Sequence, residues 1–360
     1  MTETSATSRV DSGRGWSWGS LSFRRIGAIY VLILIWVLFS LLAPETFPQF
    51  ATVQQIANAN AIAAIVALGL ALPVAAGLFD VSFPYVMTLS GVVSAKLVLE
   101  TSWPVGPAYL VGLLAAGAVG LLNALVLVKL RIESLIGTLA TGALVAAAVS
   151  WLTGDYDVVG QVLLGDFAGI GQTYWLGFNS TVFIAVVLAV VVWLVFEHTA
   201  LGRRVFAVGF NFEAVRLTGI NGSRLQAALL VVCSLIAGAA GILLASRVGS
   251  AGVHAGTPYL LPAFAAVFLG ATQFKDGRVN SWGVMVAVFL LGTGATGLGL
   301  AGAPIWAGSL FTGIVLIVSL TAAVVQQSRR ARGGSRRSLA TSIGRLLGRR
   351  HETGDPTDLN

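Results

Sequence analysis

The feature that most constrains this chain is a series of long stretches without a single Asp, Glu, Lys or Arg. Charged residues make up 10% of the 360 residues, whereas about 25% is usual for a soluble domain. A helix of about 20 residues crosses a bilayer, and nearly all of the stretches are long enough. The chain is therefore predicted to be an integral membrane protein. The stretches are 26–44, 46–79, 81–95, 101–128, 134–154, 167–196, 225–246, 248–274 and 279–328.

Ten membrane-spanning helices are predicted from these stretches, which gives an all-α membrane fold. Backbone groups in lipid must be hydrogen-bonded within the protein, and the stretches lack the alternating pattern of a barrel. Residues 279–328 are too long for one crossing and are divided at the Gly-rich segment 297–304, which suits a turn. The first part of 46–79 contains Pro48 and several Gln and Asn residues, and it is predicted to be an external interfacial segment. The predicted crossings are 27–43, 59–77, 83–100, 107–128, 135–152, 180–197, 225–246, 259–273, 280–298 and 305–326.

The orientation follows from the basic residues, which concentrate in cytoplasmic segments of membrane proteins. If both termini are cytoplasmic, 20 of the 22 Lys and Arg residues lie inside, and only Lys96 and Arg247 lie outside. The net charge of +7 is then a consequence of topology. Three parts are predicted: a cytoplasmic segment 1–26, a transmembrane domain 27–326, and a basic cytoplasmic tail 327–360 that is expected to be disordered. The tail interleaves no aromatic residues with its cations, so we expect contact with membrane lipid and none with nucleic acid.

Three tryptophans fall near predicted external helix ends. They are read as anchors at the membrane interface, with sugar stacking as the alternative. They are Trp103, Trp151 and Trp175.

The sequence offers no site for ATP hydrolysis, for a metal or for catalysis. A phosphate-binding loop needs a Lys directly after Gly, and none of Lys96, Lys129 and Lys275 follows one. The three His residues lie in separate segments without metal-ligand spacing. We therefore expect a non-enzymatic chain that binds no cofactor. Ion-coupled transport would use buried acidic residues, for which Asp80 is the main candidate.

The longest internal cytoplasmic loop, 197–224, contains a short amphipathic helix by its pattern. Asn211 suits the N-cap, and Gly219 suits the left-handed turn that ends a helix. An apolar side made of Phe212, Val215 and Leu217 is predicted to fill a groove of a cytoplasmic partner, while Glu213 and Arg216 fix the register. From the pattern alone, an interfacial helix lying on lipid is an equal alternative.

The loop and the half of the chain after it resemble the permeases of ribose- and xylose-type monosaccharide ABC transporters, a branch that also resembles the branched-chain amino-acid permeases. Two departures lie in the first half, where Phe83-Pro84 follow the Asp-Val-Ser segment and Leu78-Phe79 replace part of a Gly-Gly pair. The matching segments are LGRR at 201–204, AVG at 207–209, NFEAVRLTGIN at 211–221, AGAAG at 237–241, AGTPY at 255–259, AAVFLGAT at 265–272, GLFDVS at 77–82 and Asn123.

The resemblance implies a multi-pass permease of the type II ABC importer kind in the bacterial cytoplasmic membrane. Its implied partners are a second, identical or different permease chain, an ATP-binding cassette ATPase that holds ATP and Mg, and an extracytoplasmic sugar-binding protein. The short helix would be the coupling helix seated in the ATPase. The residues implied in coupling are Asn211, Glu213, Ala214, Arg216, Leu217, Gly219 and Ile220.

Four polar residues are candidates for the substrate pathway, each with a structural alternative. Asp80 either forms hydrogen bonds at the start of the third helix beside Ser82 or lines the path. Asn60 and Asn123 are alternatively hydrogen-bonding contacts between helices. Other open functions are import of branched-chain amino acids or nucleosides by a permease of the same class, or a stand-alone ion-coupled carrier or channel.

Overall fold

The computed structural model describes residues 23–274 and 277–321 and is mostly helical. The predicted basic tail 327–360, and most of the predicted segment 1–26, lie outside the described residues. The helices are α1 (Phe23–Leu42), α2 (Phe50–Ala75), α3 (Phe83–Thr101), α4 (Val105–Ala124, continued by a π-helical turn Leu125–Lys129), α5 (Ser134–Thr153), α6 (Gly169–Gln172), α7 (Ser180–His198), α8 (Ala200–Phe210), α9 (Phe212–Leu217), α10 (Gly222–Val248), α11 (Leu260–Ala271), α12 (Ser281–Leu300) and α13 (Trp306–Thr321).

Seven helices in the described part of the chain are long and apolar enough to cross a membrane. Three shorter apolar helices stand at the other predicted crossings, namely Ala28–Leu42, Thr257–Ala271 and Trp306–Thr321. The all-α membrane class is therefore confirmed. The count of ten crossings and the cytoplasmic termini stay predictions. The seven helices are α2, α3, α4 with its π-helical turn, α5, α7, α10 and α12.

The second helix begins earlier than predicted. Residues 50–58, predicted as an external interfacial segment, form the first turns of α2. Their polar side chains bind within the fold, because Gln54 Nε2 donates to the carbonyl oxygen of Leu176 at 3.0 Å and Asn58 Nδ2 donates to that of Gly177 at 3.1 Å. Because these amide side chains have hydrogen-bond partners within the protein, residues 50–58 can be helical instead of forming an interfacial segment.

A small cap, not predicted from the sequence, covers the end of the helices opposite α9. It contains two antiparallel two-residue pairs, β1 (Val158–Val159) with β4 (Ser250–Ala251), and β2 (Tyr174–Trp175) with β3 (Phe178–Asn179). Asp157 Oδ1 accepts a hydrogen bond from the Val253 amide at 2.8 Å, which ties the cap to the segment after α10. The three predicted interfacial tryptophans are all exposed, Trp151 most of all at 84%.

The most closely packed part of the core is the α3–α4–α10 group. Gly241 of α10 faces α3 so closely that an added Cβ would lie 2.0 Å from the carbonyl oxygen of Met87. An added Cβ on Gly238 would lie 2.4 Å from Cβ of Ala116 on α4. Small residues at helix contacts let the backbones approach closely in membranes. Cys233 of α10 is buried in the same group.

Candidate functional site

The short helix α9 has the ends that the sequence predicts. Asn211 Oδ1 accepts a hydrogen bond from the Ala214 amide at 3.0 Å, and this satisfies one of the free N–H groups of the first turn. Gly219 follows the last turn with φ +82°, in the left-handed region that favours glycine. Its amide donates to the carbonyl oxygen of Arg216 at 3.2 Å. The cap and the terminating turn are therefore confirmed, while the coupling role stays a prediction.

The apolar side predicted for α9 is only partly available to a partner. Val215 is buried in the chain itself, and the Phe212 ring lies over Gly222 at the start of α10. Leu217 is 85% exposed, and Phe210, the last residue of α8, is 93% exposed. The large apolar side chains exposed at α9 are therefore Leu217 and Phe210, and Phe210 was not predicted from the sequence. The correction follows from the adjoining helices, because α8 and α10 already cover the inner side of so short a helix.

The two charged residues of α9 bind each other. Glu213 Oε2 and Arg216 Nη2 are 3.2 Å apart, and both side chains are mostly exposed. An exposed pair three residues apart contributes little to stability, at most about 0.5 kcal/mol. The predicted role of this pair in setting the register on a partner is not tested by this geometry.

Helix α8 connects α9 to the membrane-spanning helices α2 and α7. Thr199 caps α8 by accepting from the Gly202 amide at 3.2 Å. Gly209 lies against the end of α2, where an added Cβ would come 2.2 Å from the carbonyl oxygen of Ala75. The Arg278 guanidinium stands 4.0 Å from the centroid of the Phe206 ring, which links α8 to the segment before α12. Helix α8 therefore contacts α2 and α10, and its Phe206 reaches the segment before α12.

A groove of about 390 Å³ adjoins the end of α9. It is lined on one side by Gly219, Ile220 and Asn221, and by two exposed cations, Arg204 and Arg224. Neither arginine forms an ion pair with any of the described residues. The groove suits an acidic side chain on a docking partner.

Three of the four candidate pathway residues belong to one buried network. Asp80 Oδ1 accepts from the Ser82 amide at 2.9 Å and from Ser82 Oγ at 2.6 Å. Asn123 Nδ2 donates to Ser82 Oγ at 2.7 Å, and Asn123 Oδ1 accepts from Thr141 Oγ1 at 2.5 Å. The four residues of the network, Asp80, Ser82, Asn123 and Thr141, are essentially inaccessible to solvent. The network joins the start of α3 to α4 and α5. Asp80 and Asn123 therefore form the hydrogen bonds that were predicted as the structural alternative to a role in the substrate pathway.

The fourth candidate, Asn60, is in another part of the fold. Its Nδ2 donates to the carbonyl oxygen of Ile56 in its own helix at 2.8 Å, and its side chain lies against Gly292 of α12. The four residues therefore do not form one site. Whether any of them contacts a substrate stays a prediction.

Comparison with known proteins matches residues 52–320 to the family described as the branched-chain amino acid transport system / permease component. The chain belongs to this family. As a member, it is a permease component, and its relatives include permeases of sugar transporters. It is 29% identical over 323 residues to the ribose import permease protein of Escherichia coli (strain K12), covering 87% of this chain and 98% of that one.

Two further relatives point the same way. The chain is 28% identical over 297 residues to the ribose import permease protein of Bacillus subtilis (strain 168), covering 82% of this chain and 92% of that protein. It is 30% identical over 314 residues to the L-arabinose transport system permease protein of Escherichia coli (strain K12), covering 86% and 94%. No solved structure matches the chain. The resemblance to sugar ABC permeases is thus confirmed.

Proposed function

We propose that this permease component carries a monosaccharide of the ribose or arabinose kind across the bacterial cytoplasmic membrane, and that a separate ATPase subunit supplies the energy. The observation that carries the proposal is α9, a capped helix presented between α8 and α10 with Phe210 and Leu217 exposed beside it. The named ribose and arabinose relatives support the substrate class.

In this proposal α9 is the coupling helix. Leu217 and Phe210 enter a groove of the ATPase, and Arg204 and Arg224 bind acidic side chains at its edge. Closure of the ATPase on ATP and Mg moves α9, and α8 transmits the movement to α2 and α10 through the close contact at Gly209. Two permease chains and an extracytoplasmic sugar-binding protein complete the importer. A ligand shifts such a transporter between states only if it binds the states differently.

Reconstitution tests the proposal. The chain is placed in liposomes with a candidate ATPase and a candidate sugar-binding protein from the same organism, and uptake of radiolabelled D-ribose and L-arabinose is measured. We expect uptake only when all components and ATP are present. Uptake by the purified chain without an ATPase would instead indicate a stand-alone carrier and would overturn the proposal.

A second candidate function is favoured by the description of the matching family, which names branched-chain amino acids. Adding L-leucine to the same reconstitution separates the two. ATP-dependent uptake of leucine without uptake of either pentose would replace the sugar in the proposal and leave the ABC permease role in place.

A further inference from the structure

Two segments without α-helix meet inside the helix bundle. The inner break, residues 76–82, connects α2 to α3. The outer break, residues 252–259, connects β4 to α11 and contains a single 3₁₀ turn. The outer break lies against the first two turns of α3, directly after the inner break ends, and the Gly256 amide donates to Thr88 Oγ1 at 3.1 Å. An added Cβ on Gly256 would lie 1.9 Å from the carbonyl oxygen of Pro84.

The depth of this meeting point follows from α10, which runs parallel to α3. Met87 lies beside Gly241, and Gly91 lies beside Ala245. By the same offset, the start of α3 at Phe83 stands level with residue 237. The charged residues Arg224 on α10 and Lys96 on α3 mark the two ends of this helix pair. Residue 237 follows Arg224 by thirteen residues, and Phe83 precedes Lys96 by thirteen residues. At 1.5 Å per residue, the start of α3 is therefore about 20 Å from each of these charges along the helix axes. The breaks therefore meet near the middle of the membrane.

Irregular backbone at this depth is not stable against lipid, because its polar groups have no partners there. Two backbone amides of the inner break find hydrogen-bond acceptors on α5. The Phe79 amide donates to Ser134 Oγ at 3.2 Å, and the Val81 amide donates to Thr138 Oγ1 at 3.0 Å. The Asp80 carboxylate of the inner break is buried beside the Cys233 thiol of α10, and its Oδ2 has no hydrogen-bond partner within normal distance among the described residues. Such segments occur where they are covered by protein or line a water-filled path.

A row of aromatic rings covers the other side of the inner break. The Phe79 and Phe268 centroids are 6.1 Å apart, and Phe268 stacks on Phe264 with centroids 6.1 Å apart and planes 16° from parallel. Phe79 is 38% exposed, and the other two rings are half-buried. The aromatic row (Phe79, Phe268 and Phe264) thus presents its ring faces at the depth where non-helical backbone cannot be exposed to lipid.

Broken helices in corresponding positions of two halves mark the substrate sites of many transporters. Here α3 is the third of the first five predicted crossings, and α11 is the third of the second five, so they hold corresponding positions in the two halves. We propose that the two breaks and the aromatic row form the wall of the translocation path, and that the row stacks on the ring of a neutral polyhydroxylated solute. This proposal rests on the proposed function for its solute, and the path itself is tested separately.

The chemistry favours a neutral solute over a carboxylate. The electron-rich faces of aromatic rings attract the weakly positive C–H groups of a sugar ring. The N-terminus of α3, which would otherwise favour an anion, already has the Asp80 carboxylate beside it. That position is therefore already occupied, and sugar hydroxyls can bond to exposed polar residues of the outer break such as Thr257.

Cysteine accessibility tests the path without knowledge of the solute. Phe79→Cys and Phe268→Cys are compared with Leu114→Cys, a 63% exposed position on α4, in membranes containing the full chain. The native chain serves as the blank, because Cys233 is only 1% exposed. A charged methanethiosulfonate reagent reacts with the thiolate, which forms in water, so we expect both row positions to react at least about tenfold faster than position 114. Equal rates at all three positions would overturn the path.

Replacement of the rings tests the stacking role. In the reconstituted importer, Phe268→Leu should raise the half-saturating concentration for D-ribose or L-arabinose about tenfold, whereas Phe268→Trp keeps a ring and should retain most of the affinity. Phe183→Leu, at a half-buried position of α7 beside Trp175, is the matched control. If Phe268→Leu and Phe183→Leu behave alike, the row does not contact the solute. Water accessibility without pentose uptake would retain the path and reject the sugar.

Discussion

At Gly219 a single backbone angle ends the helix that the proposed function depends on. Its φ of +82° is strained for any residue with a Cβ, and no atom lies within 4 Å of the position that a Cβ would take. The requirement for glycine is therefore purely conformational. Asn211 at the other end works through one hydrogen bond to the Ala214 amide. Two residues thus set the length of α9.

Replacing Gly219 with Ala should weaken coupling without affecting the membrane domain. The left-handed conformation costs about 1–2 kcal/mol for an L-residue, so the end of α9 should unfold locally. We expect less sugar taken up per ATP hydrolysed in the reconstituted importer. The matched control is Gly106→Ala, also without neighbours within 4 Å but without positive φ. Normal coupling in Gly219→Ala would show that the shape of α9 is unimportant.

Asn123 should be important for stability whatever its part in transport. Asn123→Leu removes the donor to Ser82 Oγ and the acceptor of Thr141 Oγ1, and a buried group left unpaired costs about 1–3 kcal/mol. We expect a lower thermal unfolding temperature in detergent. Asn60→Leu is the control, because Asn60 is half-buried and its Nδ2 donates its hydrogen bond to a carbonyl oxygen of its own helix. An equal loss in both variants would contradict the importance of the network.

At the scale of elements, α8 and α9 form one surface. Helix α9 alone has six residues and turns Val215 inward, so its exposed apolar contact area depends on Phe210 at the end of α8. Large exposed apolar side chains beside cations are typical of the centre and edge of a protein interface. The same two helices contact α2 and α10, which connects the docking surface to the core.

The double substitution Phe210→Ser and Leu217→Ser should weaken binding of the ATPase. Both side chains are at least 85% exposed, so the fold should be retained. We expect less of the co-expressed ATPase to copurify with the tagged chain and slower ATP-driven uptake. Leu176→Ser is the control, since Leu176 is 90% exposed in the cap at the opposite end of the helices from α9. Undiminished copurification would place the docking surface elsewhere.

The contact between α3 and α10 also belongs to this scale. Gly241→Ala would put a methyl group 2.0 Å from the Met87 carbonyl oxygen, a backbone atom that moves only if the helices separate. Overpacking of this kind costs about 1–3 kcal/mol, which should appear as a lower unfolding temperature. Gly117→Ala is the control, because its nearest neighbour is the flexible end of Leu235 at 3.3 Å. A tolerated Gly241→Ala would show that α3 can shift on α10.

For the whole molecule, the placement of basic residues predicts which loops lie on each side of the membrane. Alkaline phosphatase folds only outside the cytoplasm, so fusions after residues 155 and 303 should be active and a fusion after residue 210 should be inactive. Green fluorescent protein at the C-terminus should fluoresce. An active fusion at 210 would invert the topology and place α9 on the wrong side for an ATPase.

Much of the molecule could be predicted from local information. Charge placement determined the membrane class and nearly all helix positions, because a charge-free run of twenty residues has few alternatives in a bilayer. Local rules also determined the ends of α9, since Asn211 and Gly219 act on their immediate neighbours. The early start of α2 was missed because Gln54 and Asn58 are satisfied by a hairpin more than a hundred residues away.

The sequence by itself therefore established the membrane class, the family resemblance and the presence of α9. Only the tertiary structure decided which residues meet. It united Asp80, Ser82 and Asn123, left Asn60 apart, and exposed Phe210 while it buried Val215. It also brought Gly256 onto the first two turns of α3, next to the end of the inner break. The physical reason is range, because capping and hydropathy act over a few residues, whereas burial and helix contacts depend on segments far apart in the chain.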